Sequence, residues 1–269
     1  GITVEGANIL TRSLIIFGQG AVRAHPYVLR EINAAHDPDR KKALLAFDEA
    51  LWGHVSFSMS NAVRALVFGL SNGRGVDAPT EAPTRRYYQQ LTRYSSGFAF
   101  AADVAMLVLG GSLKRREKIS ARLGDVLSQM YLCSATLKRF EDDGRPEADL
   151  PLLHWSMQDA LFRIQEAFDG VLQNFPNRLA AWLLRRLIFP LGKGAMPPSD
   201  ALGHQVATML MQPGSARDRL TVGMHIPRDE KDSVGALEAA LLSTLRCEPV
   251  QALLAKARKE GKLTTPDEL

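Results

Sequence analysis

Apolar positions recur at three- and four-residue steps along most of this chain, the spacing of one face of an α-helix. Phe47, Leu51, Val55, Met59, Val63 and Leu66 form one such stripe, predicting a helix over about 39–70. Tyr88, Leu91, Tyr94, Phe98, Ala102, Ala105 and Leu109 predict a second over 84–109. Ile119, Leu123, Val126, Met130 and Leu137 predict a third over 114–142. Met157, Leu161, Ile164, Phe168, Val171 and Phe175 predict a fourth over 151–175. Ser71-Asn72-Gly73-Arg74-Gly75, Gly110-Gly111 and Asp143-Gly144-Arg145-Pro146 punctuate them. Four long amphipathic helices with short breaks predict an all-α, up-down bundle. At 1.5 Å per residue each helix would be roughly 37 Å long.

The flanks follow a different pattern. An apolar helix is expected over 8–17, ended by Gly18-Gln19-Gly20, and the chain restarts at His25-Pro26. Beyond Pro176 the helices shorten to about 178–189, 200–211, 232–245 and 249–260, separated by prolines. The expected organisation is a leading segment over 1–36, a bundle over 37–176 and a short-helix tail packed on it over 177–269. No strand is expected beyond a few residues at the extreme N-terminus.

Composition adds limits to this picture. Of 269 residues, 46% are apolar, enough for a sizeable core, and 23% are charged, which excludes wholesale disorder. A net charge of +4 is too mild to indicate a nucleic-acid partner. Cys133 and Cys247 are expected to be reduced thiols. No run of 18 apolar residues predicts a membrane span, and no leader peptide is expected. A cytoplasmic location follows as the expectation.

Several candidate motifs fail on their chemistry. The six histidines lack the four-residue helical spacing of a metal pair, so no metal is expected. Gly18-Gln19-Gly20 lacks the third glycine of a dinucleotide turn, and Leu191-Gly192-Lys193-Gly194 lacks the rest of a phosphate-binding loop. Asp103 and Asp125 sit in apolar or small-residue helical stretches and are expected to pair with Arg64, Arg93 or Arg122. The helix over 178–189 places leucines on one arc, with Arg178, Arg185 and Arg186 opposite and Trp182 and Phe189 among them. It reads as a helix docked on the bundle, with peripheral membrane contact through those arginines and aromatics as the competing reading.

Glu5 precedes a helix whose entrance Gly6 and Asn8 suit. On residues alone it reads as a solvated or capping charge. The pattern Glu5-Gly6-x-Asn8-x-Leu10-x-Arg12, however, resembles the catalytic-base segment of the acyl-CoA dehydrogenases. The longer run through Leu14-Ile15-Ile16-Phe17-Gly18-Gln19-Gly20-Ala21 and His25-Pro26-Tyr27 resembles the long-chain members of bacterial β-oxidation. The stretches Phe98-Ala99-Phe100-Ala101-Ala102-Asp103, Leu107-Val108-Leu109-Gly110-Gly111 and Ser120-Ala121-Arg122-Leu123-Gly124-Asp125-Val126 resemble their extra C-terminal helical region.

The resemblance implies that Glu5 is the base removing the α-proton of an acyl thioester, and that FAD takes the β-hydride. Gly6 and Asn8 are implied as flavin neighbours. Ala7 departs from the threonine of many members, whose hydroxyl helps hold the flavin. Segment 1–36 then ends a catalytic helical domain, with most of the FAD site expected upstream. Long-chain acyl-CoA is the implied substrate, an electron-transfer flavoprotein or related acceptor the partner, and a homo-oligomer the assembly, with the inner-membrane periphery as an alternative location. The rival reading is a non-catalytic helical dimerisation or membrane-docking module.

Overall fold

The computed structural model describes Val4, Gly6 and residues 19–262, except Ala82, Ile226, Arg228 and Glu230. Among these residues there are helices and no strands, so the all-α expectation holds. The chain forms two compact units, Gly1–Pro198 and Ser199–Leu269.

The first unit opens with two short helices, α1 (Gly20–Ala24) and α2 (Val28–Ala35). Helix α3 (Arg40–Leu70) starts where the Asp39 carboxylate accepts from the amides of Lys41 and Lys42 at 3.0 and 3.3 Å. Helix α4 (Arg85–Leu109) runs into a 3₁₀ turn, Gly110–Arg115. Helix α5 (Glu117–Asp142) therefore begins slightly later than its periodicity suggests. Helix α6 (Leu150–Asn174) carries Pro151 in its first turn, where no amide donor is needed. Helix α7 (Arg178–Ile188) is capped by Asn177, whose side chain accepts from the Ala180 amide at 3.0 Å. It belongs to this first unit, although a tail was expected to begin at 177.

The core lies where α4, α5 and α6 meet. Leu123, Val126, Leu137, Met157, Ile164, Phe168 and Leu172 are essentially inaccessible. The Phe168 ring stacks on Tyr94 at 6.2 Å and meets the edge of Phe189 at 6.1 Å. Cys133 is sealed in this core, and burial pushes its thiol up to about 12. The α5 and α6 stripes thus face inward, as their spacing predicts. The stretch Arg85–Arg115 has the length and composition of a membrane-crossing helix, contrary to the sequence expectation. Tyr94, Ala101, Ala105 and Leu109 bury one side of it in the protein core, while Leu107 on another side is 86% exposed.

Helix α3 departs from expectation. Leu51, Val55, Met59 and Val63, read as core, are exposed, Met59 at 64% and Val63 at 55%. Its buried face is instead a line of small side chains: Ala50, Ala62, Ala65 and Gly69 with Asn61. Small residues allow close approach to α4 and α7, and at Gly69 any Cβ would strike the Pro190 ring. Periodicity reveals which residues share a face but not what covers it.

The second unit contains α8 (Asp200–Met211), α9 (Ser215–Leu220) and α10 (Ser233–Lys259). Arg217 of α9 grips Glu238 of α10 through two hydrogen bonds, at 3.0 and 2.5 Å. Helix α10 continues through Pro249, where two helices were expected. Proline's fixed φ is itself helical, and only one backbone bond is lost. The carbonyl the ring leaves free is that of half-buried Leu245, and the exposed Arg246, Cys247 and Glu248 beside it let water reach it.

Candidate functional site

His25 ends α1 in an extended conformation, the state favoured before a proline such as Pro26. Its Nδ1 accepts from the amides of Tyr27 and Val28 at 3.2 and 3.1 Å, so the imidazole caps the start of α2. Those two bonds require a lone pair on Nδ1 and place the neutral ring's proton on Nε2. Nε2 lies 2.9 Å from Oδ1 of Asp103, on α4, and both side chains are about 7% exposed. The contact is close but not aligned as a hydrogen bond, leaving both buried atoms without a well-directed partner.

Asp103 gathers further groups from α3. Ser58 Oγ donates to its Oδ2 at 2.5 Å, and His54 Nε2 lies 3.7 Å from its Oδ1. His54 Nδ1 is 2.8 Å from Oε1 of Glu31 on α2. The two imidazoles pack at 4.5 Å between centroids, and Tyr27 lies nearly parallel to His54 at 6.2 Å. Gly53 makes this possible, because any Cβ there would overlap the Tyr27 ring. Burial holds the His25 pKa below its ordinary value, with His54 acting in the same direction and Asp103 opposing.

This network borders a trough of about 770 Å³ between α2, α3, α4 and α7. Its polar groups gather around His54 and Ser58. Beyond them the walls are apolar, with Met59, Val63 and Leu66 of α3 facing Leu183 and Leu187 of α7. The exposed stripe of α3 is therefore one wall of the trough. Such a surface accepts an apolar chain or the apolar face of another helix.

His25, His54 and Asp103 bring three potential metal-ligand atoms within 4.8 Å of one another. Tetrahedral coordination at about 2.1 Å requires a lone pair on each ligand atom. With Nδ1 taken by two backbone amides, His25 Nε2 carries the neutral ring's proton and would have to release it to bind a metal. The trough does not fit a flavin dinucleotide, because the Glu31 and Asp103 carboxylates at its polar end would repel a pyrophosphate.

Glu5 and Asn8 lie outside the described residues, and Gly6 is half-buried. Asp103 engages His25 and Ser58 rather than the expected Arg64, Arg93 or Arg122. Arg93 instead reaches Asn72 and the Ile188 carbonyl, while Arg122 lies over Gly170. On α7, Leu184 and Ile188 face the core, and Leu179 and Trp182 are exposed, with the Arg186 guanidinium 5.9 Å from the Trp182 ring. Phe189 is buried and so cannot contribute to a lipid-facing surface. Arg185 is held by Asp169 at 2.8 Å, and Arg178 donates to the Gln173 carbonyl at 3.1 Å.

Sequence reasoning did not find the His25–Glu31–His54–Asp103 network. Its available signal was an aspartate flanked by Ala101, Ala102, Val104 and Ala105, opposite a helix carrying His54 and Ser58 one turn apart.

The family described as acyl-CoA dehydrogenase, C-terminal, bacterial type, matches residues 22–269. No solved structure matches the chain.

Proposed function

Because the chain belongs to the bacterial-type acyl-CoA dehydrogenase C-terminal family, we propose that it is the C-terminal part of an FAD-dependent enzyme oxidising long-chain acyl-CoA to trans-2-enoyl-CoA in fatty acid β-oxidation. The observation that carries this reading is the match over 22–269, lying directly behind the Glu5-Gly6-x-Asn8 segment. Glu5 is the base that takes the α-proton, and an acyl chain packed around it would raise its proton affinity by excluding water. FAD supplies the hydride acceptor, with Gly6 and Asn8 beside it and most of its contacts contributed upstream. An electron-transfer flavoprotein or related acceptor then receives the electrons.

The exposed wall of α3 supports a homo-oligomer, since an apolar face of this length is normally covered. Leu179, Trp182 and Arg186 support peripheral contact with the inner membrane from the cytoplasmic side. These two surfaces also suit the second reading, a non-catalytic dimerisation or membrane-docking module.

Stopped-flow bleaching of the flavin by palmitoyl-CoA, in the protein that carries this chain, separates the readings. The dehydrogenase assignment expects rapid bleaching and a loss of about 10²–10⁴-fold in Glu5→Gln with flavin content unchanged. Absence of bleaching would favour the module. Undiminished bleaching in the variant would assign the base to another residue.

A further inference from the structure

A second cavity, of about 180 Å³, lies between the start of α4, the turn that follows α3, and the loop after α7. Its polar lining comes from Asn72, Arg86, Gln90, Arg93 and Gln158. The two arginines stand seven residues apart on α4, two turns along one face. They converge on Asn72: Arg93 Nη1 donates to its Oδ1 at 2.6 Å, and Arg86 Nη2 donates to its carbonyl at 3.0 Å. Arg86 Nη1 also donates to Gln89 Oε1 at 2.7 Å, and Arg93 Nη2 to the Ile188 carbonyl at 3.4 Å. All four acceptors are neutral. Arg93 is 7% exposed, and its Nε is buried with no partner.

The charge here is not balanced by acids. Among the described residues, no carboxylate forms an ion pair with Arg74, Arg86 or Arg93. Burial lowers the Arg86 pKa, and the like charges of Arg74 and Arg93 push it the same way. The carboxyl ends of α3 and α7 supply about −0.5 charge each, leaving roughly one of the two positive charges that line the cavity uncompensated.

The walls are also fixed in advance. Gln165 clasps Ala195 in both directions, at 3.0 and 2.8 Å, holding the loop. Gln89 donates to the carbonyls of Arg74 and Val76, at 3.3 and 3.0 Å, holding the turn. That turn passes through left-handed Asn72 and Gly73, and a Cβ on Gly73 would lie 2.7 Å from the Gln89 carbonyl oxygen. A preformed cationic wall needs no reordering to receive an anion.

We propose that this cavity is a phosphate-binding site, with Arg86 and Arg93 as its cationic wall and the Gln90 amide, which gives one hydrogen to Asn72 Oδ1 at 3.0 Å, offering its other hydrogen. A carboxylate matches a single guanidinium fork and carries one charge. A phosphate dianion can meet two guanidinium groups from different sides and neutralise both. The space holds a phosphate group but not a whole nucleotide. The phosphate can be inorganic or the exposed ester of a larger molecule such as coenzyme A, and neither source depends on the dehydrogenase assignment.

Calorimetric titration of the full chain with inorganic phosphate, against chloride of equal ionic strength, tests the site. Saturable one-to-one binding is expected, with acetate at least roughly tenfold weaker. Arg86→Gln removes one cation, and Gln158→Glu adds an anion without touching either arginine. Each should weaken phosphate at least about tenfold, and the second remains informative if the first disturbs the turn. Coenzyme A that competes with phosphate identifies an ester as the source, and coenzyme A that does not identifies the free ion; both uphold the site. Absence of saturable binding, equal affinity for acetate, or unchanged binding in Gln158→Glu would overturn it.

Discussion

His25 is a base kept neutral by its surroundings. Two backbone amides occupy its Nδ1, and burial holds its pKa down. Burial also lowers the pKa of His154, whose Nδ1 meets the Tyr87 hydroxyl at 2.7 Å. The unfolded chain would protonate both near 6.5, whereas the folded chain resists until lower pH. Between those values the unfolded state binds more protons, so stability is full above about 6.5 and falls as the pH drops towards the folded pKa. The slope contributed by each histidine cannot exceed about 1.4 kcal/mol per pH unit. Asp169, which burial would raise but Arg185 and Lys193 hold below its ordinary value, and Glu238, held down by Arg217, act in a more acidic window. Urea unfolding should therefore show a loss between pH 7.5 and 5.5, and His25→Gln should remove its share of that loss. A flat profile for the parent would mean that these rings protonate freely in the folded state. None of this was legible in the sequence, because His25, His54 and Asp103 come from three separate elements and only folding brings them together.

At the level of single elements, α5 and α6 were the most legible. Ile119, Leu123, Val126 and Leu137 on one, and Met157, Ile164 and Phe168 on the other, are buried where their spacing places them. Helix α3 was legible as a helix and misread as to its inner face, because Ala50, Ala62, Ala65 and Gly69 give a weaker apolar signal than the larger side chains opposite. Pro249 was read as a break for the same kind of reason: its cost was visible, and the solvated setting that tolerates it was not. That cost can be measured. Pro249→Ala restores a backbone donor in the middle of α10 and should add up to about 3 kcal/mol to the helix, seen as a higher melting temperature for the second unit. No gain would show that α10 is bent there to suit a contact that depends on the proline.

The whole molecule divides between Pro198 and Ser199, some twenty residues beyond the boundary that helix lengths suggested, because α7 buries Ala181, Leu184 and Ile188 in the first unit. The residues leading to the division, Leu191 to Pro198, are non-helical and mostly exposed. Ala195 is pinned by Gln165, so among the described residues brief proteinase K treatment should cut first beyond it, at exposed Met196, leaving the first unit as a stable band identified by mass spectrometry. Early cutting inside α5 or α6 would contradict the packing described above. The outer face of α3 has a further consequence. Near room temperature, apolar surface leaves water at almost no enthalpic gain, and the released solvent lowers the heat capacity of the assembled state. An association covering Leu51, Val55, Met59 and Val63 would therefore tighten on gentle warming and loosen in the cold, so this protein's assemblies would be held most weakly at the temperatures at which proteins are usually purified.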